Sequence, residues 1–217
     1  MALDAAMLEY TARTLKGGLV GARVEKVSMP TRDEAVFSLR TEEGAKKLFI
    51  SARSGASRIH LTKESFENPA VPPGFCMLLR KYLSTGRITD VRTVDGERIV
   101  FIDFDALNEM GDRIKLSMSV EIMGRYSNLV LINGEGRVID ALKRIDVEQS
   151  EKRQLVPGVA FTMPPAQGKL LFLSSDAKTL AEKTCEKTKP LSAAILDTVG
   201  GIGPVVCREI SHRTVQG

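Results

Sequence analysis

Hydrophobic and polar residues alternate strictly along residues 113–122, which predicts a β-strand whose two faces differ in character. The apolar face consists of Ile114, Leu116, Met118, Val120 and Ile122, and the polar face of Arg113, Lys115, Ser117, Ser119 and Glu121. Gly124 ends the alternation, and a polar turn follows with Arg125, Tyr126, Ser127 and Asn128. A cation, an aromatic ring and two small hydrogen-bonding side chains suit contact with a phosphate and a base.

The same period of two predicts further strands in the first two thirds of the chain. These strands fall at residues 23–29, 34–41, 46–52, 58–61, 87–93, 97–104, 129–132 and 138–142. The dipeptide Asp95-Gly96 stands between two of them and is typical of a short hairpin turn. Strands joined by such short turns pair as neighbours, so the pattern indicates an antiparallel sheet.

A helical period replaces the alternation at two places in the same region. It predicts one helix at residues 3–16, ended by the Gly17-Gly18 pair, and a second helix at residues 75–83. Residues 1–147 are therefore predicted to form an α+β lobe, an antiparallel sheet or sandwich with two helices.

The last third of the chain changes character. Residues 148–171 are rich in proline and glycine and are expected to form an irregular connection. Residues 172–217 are predicted to form a helical lobe that continues beyond this chain, with helices at residues 176–186, 191–199 and 204–213. Gly201 and Gly203 between the last two helices give a helix-hairpin-helix pattern, whose amides could hold a nucleic-acid phosphate. A plain tight turn would use glycine in the same way, so both interpretations stay open.

Composition narrows the function classes. The chain has 217 residues, 43% of them hydrophobic and 27% charged, as in an ordinary globular protein. A net charge of +4 is compatible with a nucleic-acid partner without requiring one. The N-terminus lacks the pattern of a signal peptide, and no apolar stretch reaches the length of a membrane span. We therefore expect a cytoplasmic protein without a membrane partner.

The cysteines Cys76, Cys185 and Cys207 are isolated and odd in number, which argues against a disulfide framework and against a zinc site. Residues 54–57 lack the spacing and the lysine of a nucleotide-binding loop. We expect neither a cofactor nor a metal.

Several charged residues allow two interpretations. Asp4 stands where the first helix begins, so its carboxylate could cap the helix or belong to a functional site. Glu97 and Arg98 could be a solvated hairpin rim, or Arg98 could contact a phosphate or base while Glu97 accepts from a base amino group. Arg80 and Lys81 lie on the polar face of the second helix, where a solvated face competes with weaker phosphate contacts.

Six short motifs resemble those of the NFACT family, also called the fibronectin-binding protein A family, which includes bacterial ribosome quality-control factors. They are MALD at residues 1–4, RIHLT at 58–62, PPGFCMLLRK at 72–81, GRI at 86–88, EIMGRYSN at 121–128 and LVPG at 155–158. The motifs occur in order over most of the first 165 residues, so the resemblance is specific.

The resemblance implies a factor that binds the large ribosomal subunit carrying stalled peptidyl-tRNA. It would recruit alanyl-tRNA and extend the nascent chain with C-terminal alanine. The tRNA-linked positions of the family fall on Asp4 and on Glu97 and Arg98, where the family more often has Asp-Arg, and the family's EIMGR stretch falls on residues 121–125. We expect Glu121 and Arg125 of this stretch, with the neighbouring Tyr126, to contact tRNA as well. A coiled coil and a C-terminal RNA-binding domain are expected in the rest of the protein.

The family's fold is similar to that of formamidopyrimidine-DNA glycosylases, a β-sandwich lobe followed by a helix-hairpin-helix lobe. Those enzymes use an N-terminal proline as nucleophile and usually a zinc finger, whereas this chain has Ala2 and Leu3 and no cysteine quartet. We therefore expect no glycosylase activity. The alternatives are a DNA-binding protein of this fold without catalysis, or a surface adhesin for fibronectin or fibrinogen. The missing signal peptide and the unpaired cysteines argue against the adhesin.

Overall fold

The structure is a computed structural model that describes residues 3–216, with side chains up to residue 214. Within this range the chain forms five α-helices: α1 Ala5–Leu19, α2 Gly74–Leu83, α3 Ala177–Cys185, α4 Leu191–Thr198 and α5 Pro204–Gln216. The strands are β1 Arg23–Thr31, β2 Glu34–Thr41, β3 Gly44–Ser51, β4 Arg58–Thr62, β5 Arg87–Thr93, β6 Ile99–Leu107, β7 Arg113–Glu121, β8 Asn128–Asn133, β9 Val138–Ala141, β10 Leu170–Leu171 and β11 Val199–Gly200. A short 3₁₀ turn, Gly124–Tyr126, lies between β7 and β8.

Nine strands form one antiparallel sheet in the order β4-β3-β2-β1-β5-β6-β7-β8-β9. In a flat sheet β3 and β9 would stand roughly 34 Å apart, at about 4.8 Å per strand. Yet the Lys143 ammonium, just after β9, donates to the Ala52 carbonyl, just after β3, at 2.8 Å. The sheet therefore curls until its two halves face each other.

The main core fills the space inside the curled sheet. Side chains from both halves meet there with one face of α1 and one face of α2, including Leu8, Leu15, Phe37, Ile50, Leu79, Leu83, Ile102, Met118, Val120 and Leu131. The predicted mixture of helices with a large antiparallel sheet is confirmed. We call the face of the sheet that points away from this core the outward face.

Helix α1 runs past the point where the sequence predicted its end. Gly17 and Gly18 lie inside the helix, which continues to Leu19, and the Val20 amide still donates to the Lys16 carbonyl at 3.1 Å. A glycine costs a helix about 1 kcal/mol, whereas burying a leucine contributes about 1.5–3 kcal/mol. Because Leu19 is fully buried, packing outweighs the local preference, and the prediction of a stop at this pair was wrong.

The outward face of the second half of the sheet is also buried, which the alternation did not predict. Ser119 and Glu121 of β7 lie under the segment 143–163. A second cluster beside them consists of Ile99, Phe101, Val130, Ile132, Val138, Ala141 and Leu155. The polar face of β7 is therefore only partly exposed to solvent: Arg113 and Lys115 are exposed, and Ser119 and Glu121 are buried.

Helices α3, α4 and α5 pack around a small cluster of their own, formed by Ile195, Val199 and Cys207. Strands β10 and β11 pair in parallel, Leu170 with Val199 and Leu171 with Gly200, and hold the irregular connection against the end of α4. Two-residue strands carry no periodicity, which is why the sequence did not predict this pair.

Candidate nucleic-acid interface

Asp4 connects the start of the chain to its last third. It is the N-cap of α1, where its Oδ1 accepts from the Met7 amide at 2.9 Å, as a capping aspartate should. Its Oδ2 accepts from the Gly203 amide at 2.9 Å. The Ala6 amide donates to the Gly201 carbonyl at 3.1 Å. The beginning of α1 is thus bonded to the turn between α4 and α5.

The hairpin turn between β5 and β6 meets the same place. The Asp95 carboxylate accepts from the amides of Leu173 and Ser174 at 3.3 and 2.9 Å. Gly96 has φ +76°, as its predicted turn position requires, and lies against Gly201. A Cβ atom on Gly201 would stand 2.9 Å from the Gly96 Cα. Three segments far apart in sequence therefore converge at this junction.

Glu97 and Arg98 lie in this turn, because β6 begins only at Ile99 and not at residue 97 as predicted. Both side chains are half-buried and, among the described residues, neither makes a hydrogen bond or an ion pair. Burial raises the pKa of Glu97, and the nearby Arg98 charge acts in the opposite direction. An acid and a base without internal partners are available for a ligand.

The 3₁₀ turn stands next to these residues. The Ile122 amide donates to the Arg98 carbonyl at 2.8 Å, which continues the pairing of β6 with β7 past their ends. The Arg125 guanidinium lies 4.6 Å from the centre of the Tyr126 ring and donates to its hydroxyl at 2.6 Å. Tyr126 is 64% exposed. The pair therefore presents a cation and a ring face together at the surface.

Glu121 occupies a different environment from its neighbours in sequence. It is 1% exposed, and its carboxylate accepts from two guanidinium nitrogens of Arg153 at 2.9 and 2.6 Å. The Arg153 Nε donates to the Thr162 carbonyl at 2.8 Å. Glu121 is closed to direct contact with a ligand here, and it fixes the 143–163 segment beneath the 3₁₀ turn. No sequence pattern distinguished Arg153, because it comes from an irregular segment.

A cleft of about 710 Å³ opens between the start of α1, the loop before β4 and the 3₁₀ turn. Its lining consists of Leu3, Thr11, Gly55, Ala56, Ser57, Arg58, Ile59, His60 and Gly124. The Arg58 guanidinium lies over the Phe49 ring at 4.8 Å, and burial together with the Arg58 charge lowers the pKa of His60. The sequence motif that contains Arg58 and His60 supported the family resemblance, but neither residue was predicted to belong to a site.

The weaker phosphate contacts predicted from sequence already have partners in the protein. The Arg80 Nε donates to the Val27 carbonyl at 2.8 Å, and Lys81 forms an exposed ion pair with Glu109 at 3.0 Å. The Gly203 amide, which could hold a phosphate in one of the two interpretations of this turn, donates to the Asp4 carboxylate.

Within residues 3–216, His, Cys, Asp and Glu form no group of three or more that could hold a metal ion. Burial raises the pKa of Cys76 and of Cys207, and Cys185 is exposed. Nor does any helix in the described part of the chain have the length and apolarity to cross a membrane. Ala2, which bears on the glycosylase comparison, lies outside the described residues.

The family of NFACT N-terminal and middle domains matches residues 4–216. This chain belongs to that family. The resemblance inferred from the short motifs is thereby confirmed. The Rqc2 homolog RqcH of Bacillus subtilis is 32% identical over 214 residues, which cover 98% of this chain and 38% of that protein. The Rqc2 homolog RqcH of Streptococcus suis is 33% identical over 214 residues, which again cover 98% of this chain and 38% of that protein.

A eukaryotic relative is also similar. Ribosome quality control complex subunit 2 of Saccharomyces cerevisiae is 32% identical over 151 residues, 70% of this chain and 13% of that protein. The chain thus spans well under half the length of these relatives, 38% or less.

Two solved structures share the fold at 30% sequence identity. The N-terminal domain of the fibronectin-binding protein PavA from Streptococcus pneumoniae has a TM-score of 0.90, covering 98% of this chain and 80% of that one. The N-terminal part of the fibronectin/fibrinogen-binding protein from Streptococcus suis has a TM-score of 0.89, covering 96% and 78%.

Proposed function

We propose that the protein is the tRNA- and large-subunit-binding module of a ribosome quality control factor. In this proposal it recruits alanyl-tRNA to a large subunit that carries stalled peptidyl-tRNA and extends the nascent chain with alanine. The observation that carries the proposal is the likeness to ribosome quality control factors over nearly the whole chain. It acts by binding and elongation in the cytoplasm, without glycosylase chemistry, and works with a coiled coil and an RNA-binding domain elsewhere in the protein.

The geometry supports tRNA contact at the turn that contains Glu97 and Arg98. Arg98 donates to a phosphate or base edge, and Glu97 accepts from a base amino group, because neither has a partner within the described residues. Arg125 contacts a phosphate and Tyr126 stacks on a base, as exposed aromatic residues do with unpaired nucleotides. Charge-assisted contacts of this kind contribute about 1–3 kcal/mol each.

Asp4 and Glu121 have positioning roles in this proposal. Asp4 holds the start of α1 against the turn between α4 and α5, and Glu121 holds the segment under Arg125 and Tyr126. Arg80, Lys81, Gly201 and Gly203 contribute less, because their polar groups are bonded or packed within the protein.

A second candidate function is adhesion to fibronectin or fibrinogen. The observation in its favour is that two of the solved structures with this fold are of proteins named for binding fibronectin, or fibronectin and fibrinogen. Adhesion would require the protein to reach the cell surface.

The test compares two double variants that each remove one acid and one base. Changing Glu97 and Arg98 to Ala should weaken binding of alanine tRNA about ten-fold or more. Changing Lys178 and Glu182 to Ala, an exposed pair on α3, should leave binding unchanged. Arg125→Ala should lower the slope of log affinity against log salt by roughly 0.9, as one lost phosphate contact does.

Melting curves recorded beside the binding assay show whether a loss of affinity reflects unfolding. Full tRNA affinity in the Glu97/Arg98 double variant would mean that both residues are rim charges and that the site lies elsewhere. Immobilised fibronectin in the same assay tests the second candidate. Binding to fibronectin without measurable tRNA binding would favour adhesion.

A further inference from the structure

Three arginines stand side by side on the outward face of the sheet. Arg23 of β1 is the direct register partner of Arg40 in β2 and of Arg87 in β5. Directly paired residues on adjacent strands point to the same face about 5 Å apart. All three arginine side chains are exposed.

A β-bulge adds a fourth cation. The register of β1 and β2 shifts between Val24 and Lys26, so that Glu25 and Lys26, consecutive in sequence, are both exposed. Lys26 is then opposite Ser38, in the next row along the strands. We call Arg23, Lys26, Arg40 and Arg87 the basic row.

The protein neutralises the basic row only in part. Arg40 pairs with Glu25 at 3.0 Å, and Arg87 donates to the Gly21 carbonyl. Arg23 and Lys26 have no hydrogen-bond or ion-pair partner among the described residues. Asp105 of β6 is opposite Arg87 and also opposite Lys115 of β7, so the basic row and Lys115, five cations, face the two carboxylates of Glu25 and Asp105. Like charges directly opposite each other destabilise a sheet, so an external anion would relieve the repulsion.

The basic row lies away from the proposed tRNA interface. Arg87 is opposite Asp105 near the end of β6, whereas Glu97 and Arg98 directly precede Ile99, the first residue of that strand. Six residues of strand separate Ile99 from Asp105, about 20 Å at 3.4 Å per residue. One ligand group cannot contact both places.

We propose that the basic row is a second nucleic-acid surface, which binds the phosphate backbone of an RNA helix without reading its sequence. Three arginines in line across adjacent strands form a linear array of cations, which matches the linear array of charge along a backbone. This surface does not depend on the tRNA interface.

The test uses a blunt-ended RNA duplex that has no loop for the tRNA interface to bind. Arg23→Gln with Lys26→Gln removes the two unpartnered charges and should lower affinity on the order of ten-fold at 0.1 M salt. The slope of log affinity against log salt should fall by roughly 1.8, for two lost contacts. Thermal stability should be kept, because both side chains are exposed.

Two controls make the result specific. Lys178→Gln with Lys183→Gln changes the net charge equally on α3, where both lysines already have a glutamate neighbour, and should leave duplex affinity unchanged. The Glu97/Arg98 double variant should also bind the duplex normally, even if it loses tRNA. Unchanged affinity in the Arg23/Lys26 variant, or an equal loss in the α3 variant, would overturn the proposal. An anionic membrane surface could also bind a row of cations, so phosphatidylserine vesicles serve as a second probe. If the Arg23/Lys26 variant lost binding to these vesicles and kept its affinity for the RNA duplex, the proposal would also be overturned.

Discussion

The Asp4 carboxylate accepts hydrogen bonds from two amides that lie 196 residues apart in the chain, those of Met7 and Gly203, each at 2.9 Å. One side chain therefore caps α1 and ties it to the turn before α5. The helix cap was one interpretation that the sequence allowed, and the structure confirms it. The second bond could not be inferred, because it depends on how the chain folds back.

Asp4→Ala should cost more stability than the loss of a helix cap alone. Removing a cap costs about 0.5–2 kcal/mol, and a second lost hydrogen bond adds about 1 kcal/mol. Asp176→Ala is the control, since Asp176 caps α3 through the Thr179 amide at 2.9 Å and its second bond, from the exposed Thr179 hydroxyl at 2.6 Å, stays within the same helix turn. Urea unfolding of both variants measures the difference. Equal losses would mean that the long-range bond to Gly203 contributes no more than the exposed local bond from the Thr179 hydroxyl.

Gly201→Ala should destabilise the protein by about 1–3 kcal/mol. Gly201 has φ +89°, and an added Cβ would stand 2.7 Å from the Phe172 ring and 2.9 Å from the Gly96 backbone. Gly17→Ala should instead stabilise it by about 0.5–1 kcal/mol, since that glycine is helical with open space around it. Thermal melts of the two variants should therefore shift in opposite directions, and a neutral Gly201→Ala would show that the junction is loose.

Arg153→Met should destabilise the protein by about 3–5 kcal/mol, because it leaves the buried Glu121 carboxylate without its partner. Adding Glu121→Leu should recover part of that loss, since it removes the unpaired charge. In the exposed pair on α5, where Arg213 is 78% and Glu209 54% exposed, Arg213→Met should cost less than about 1 kcal/mol. Denaturant titrations give these values. Additive effects of Arg153→Met and Glu121→Leu would contradict the coupling.

Glu97→Gln should raise stability slightly at pH 7, by no more than about 0.5 kcal/mol. Burial raises the pKa of Glu97 above its ordinary value of 4.5, so the ionised carboxylate is disfavoured in the folded state. Its contribution to stability is present below pH 4.5 and is lost as the pH rises through the raised pKa. The variant should therefore match the native protein below pH 4.5 and exceed it at pH 7 in melts across this range. A variant less stable at pH 7 would contradict this assignment.

Periodicity predicted most helices and strands, because burial of one face requires a regular spacing of apolar residues. It failed where packing from another segment changed the balance. Helix α1 continues through Gly17 and Gly18 because Leu19 is buried, and Glu121 is buried because Arg153 reaches it from the 143–163 segment. The dipeptide Asp95-Gly96 predicted its turn correctly, since glycine at a positive φ is a local requirement.

The sequence by itself determined most of the secondary structure elements, the mixture of helices with an antiparallel sheet, and the family, since each depends on local spacing or on short motifs. Only the tertiary structure decided which of the candidate residues and glycines identified from the sequence contact each other. It joined Asp4 to Gly203, placed Gly96 against Gly201, and aligned Arg23 with Arg40 and Arg87. The physical reason is that contacts between distant segments depend on sheet curl and strand register, which no single segment of sequence specifies.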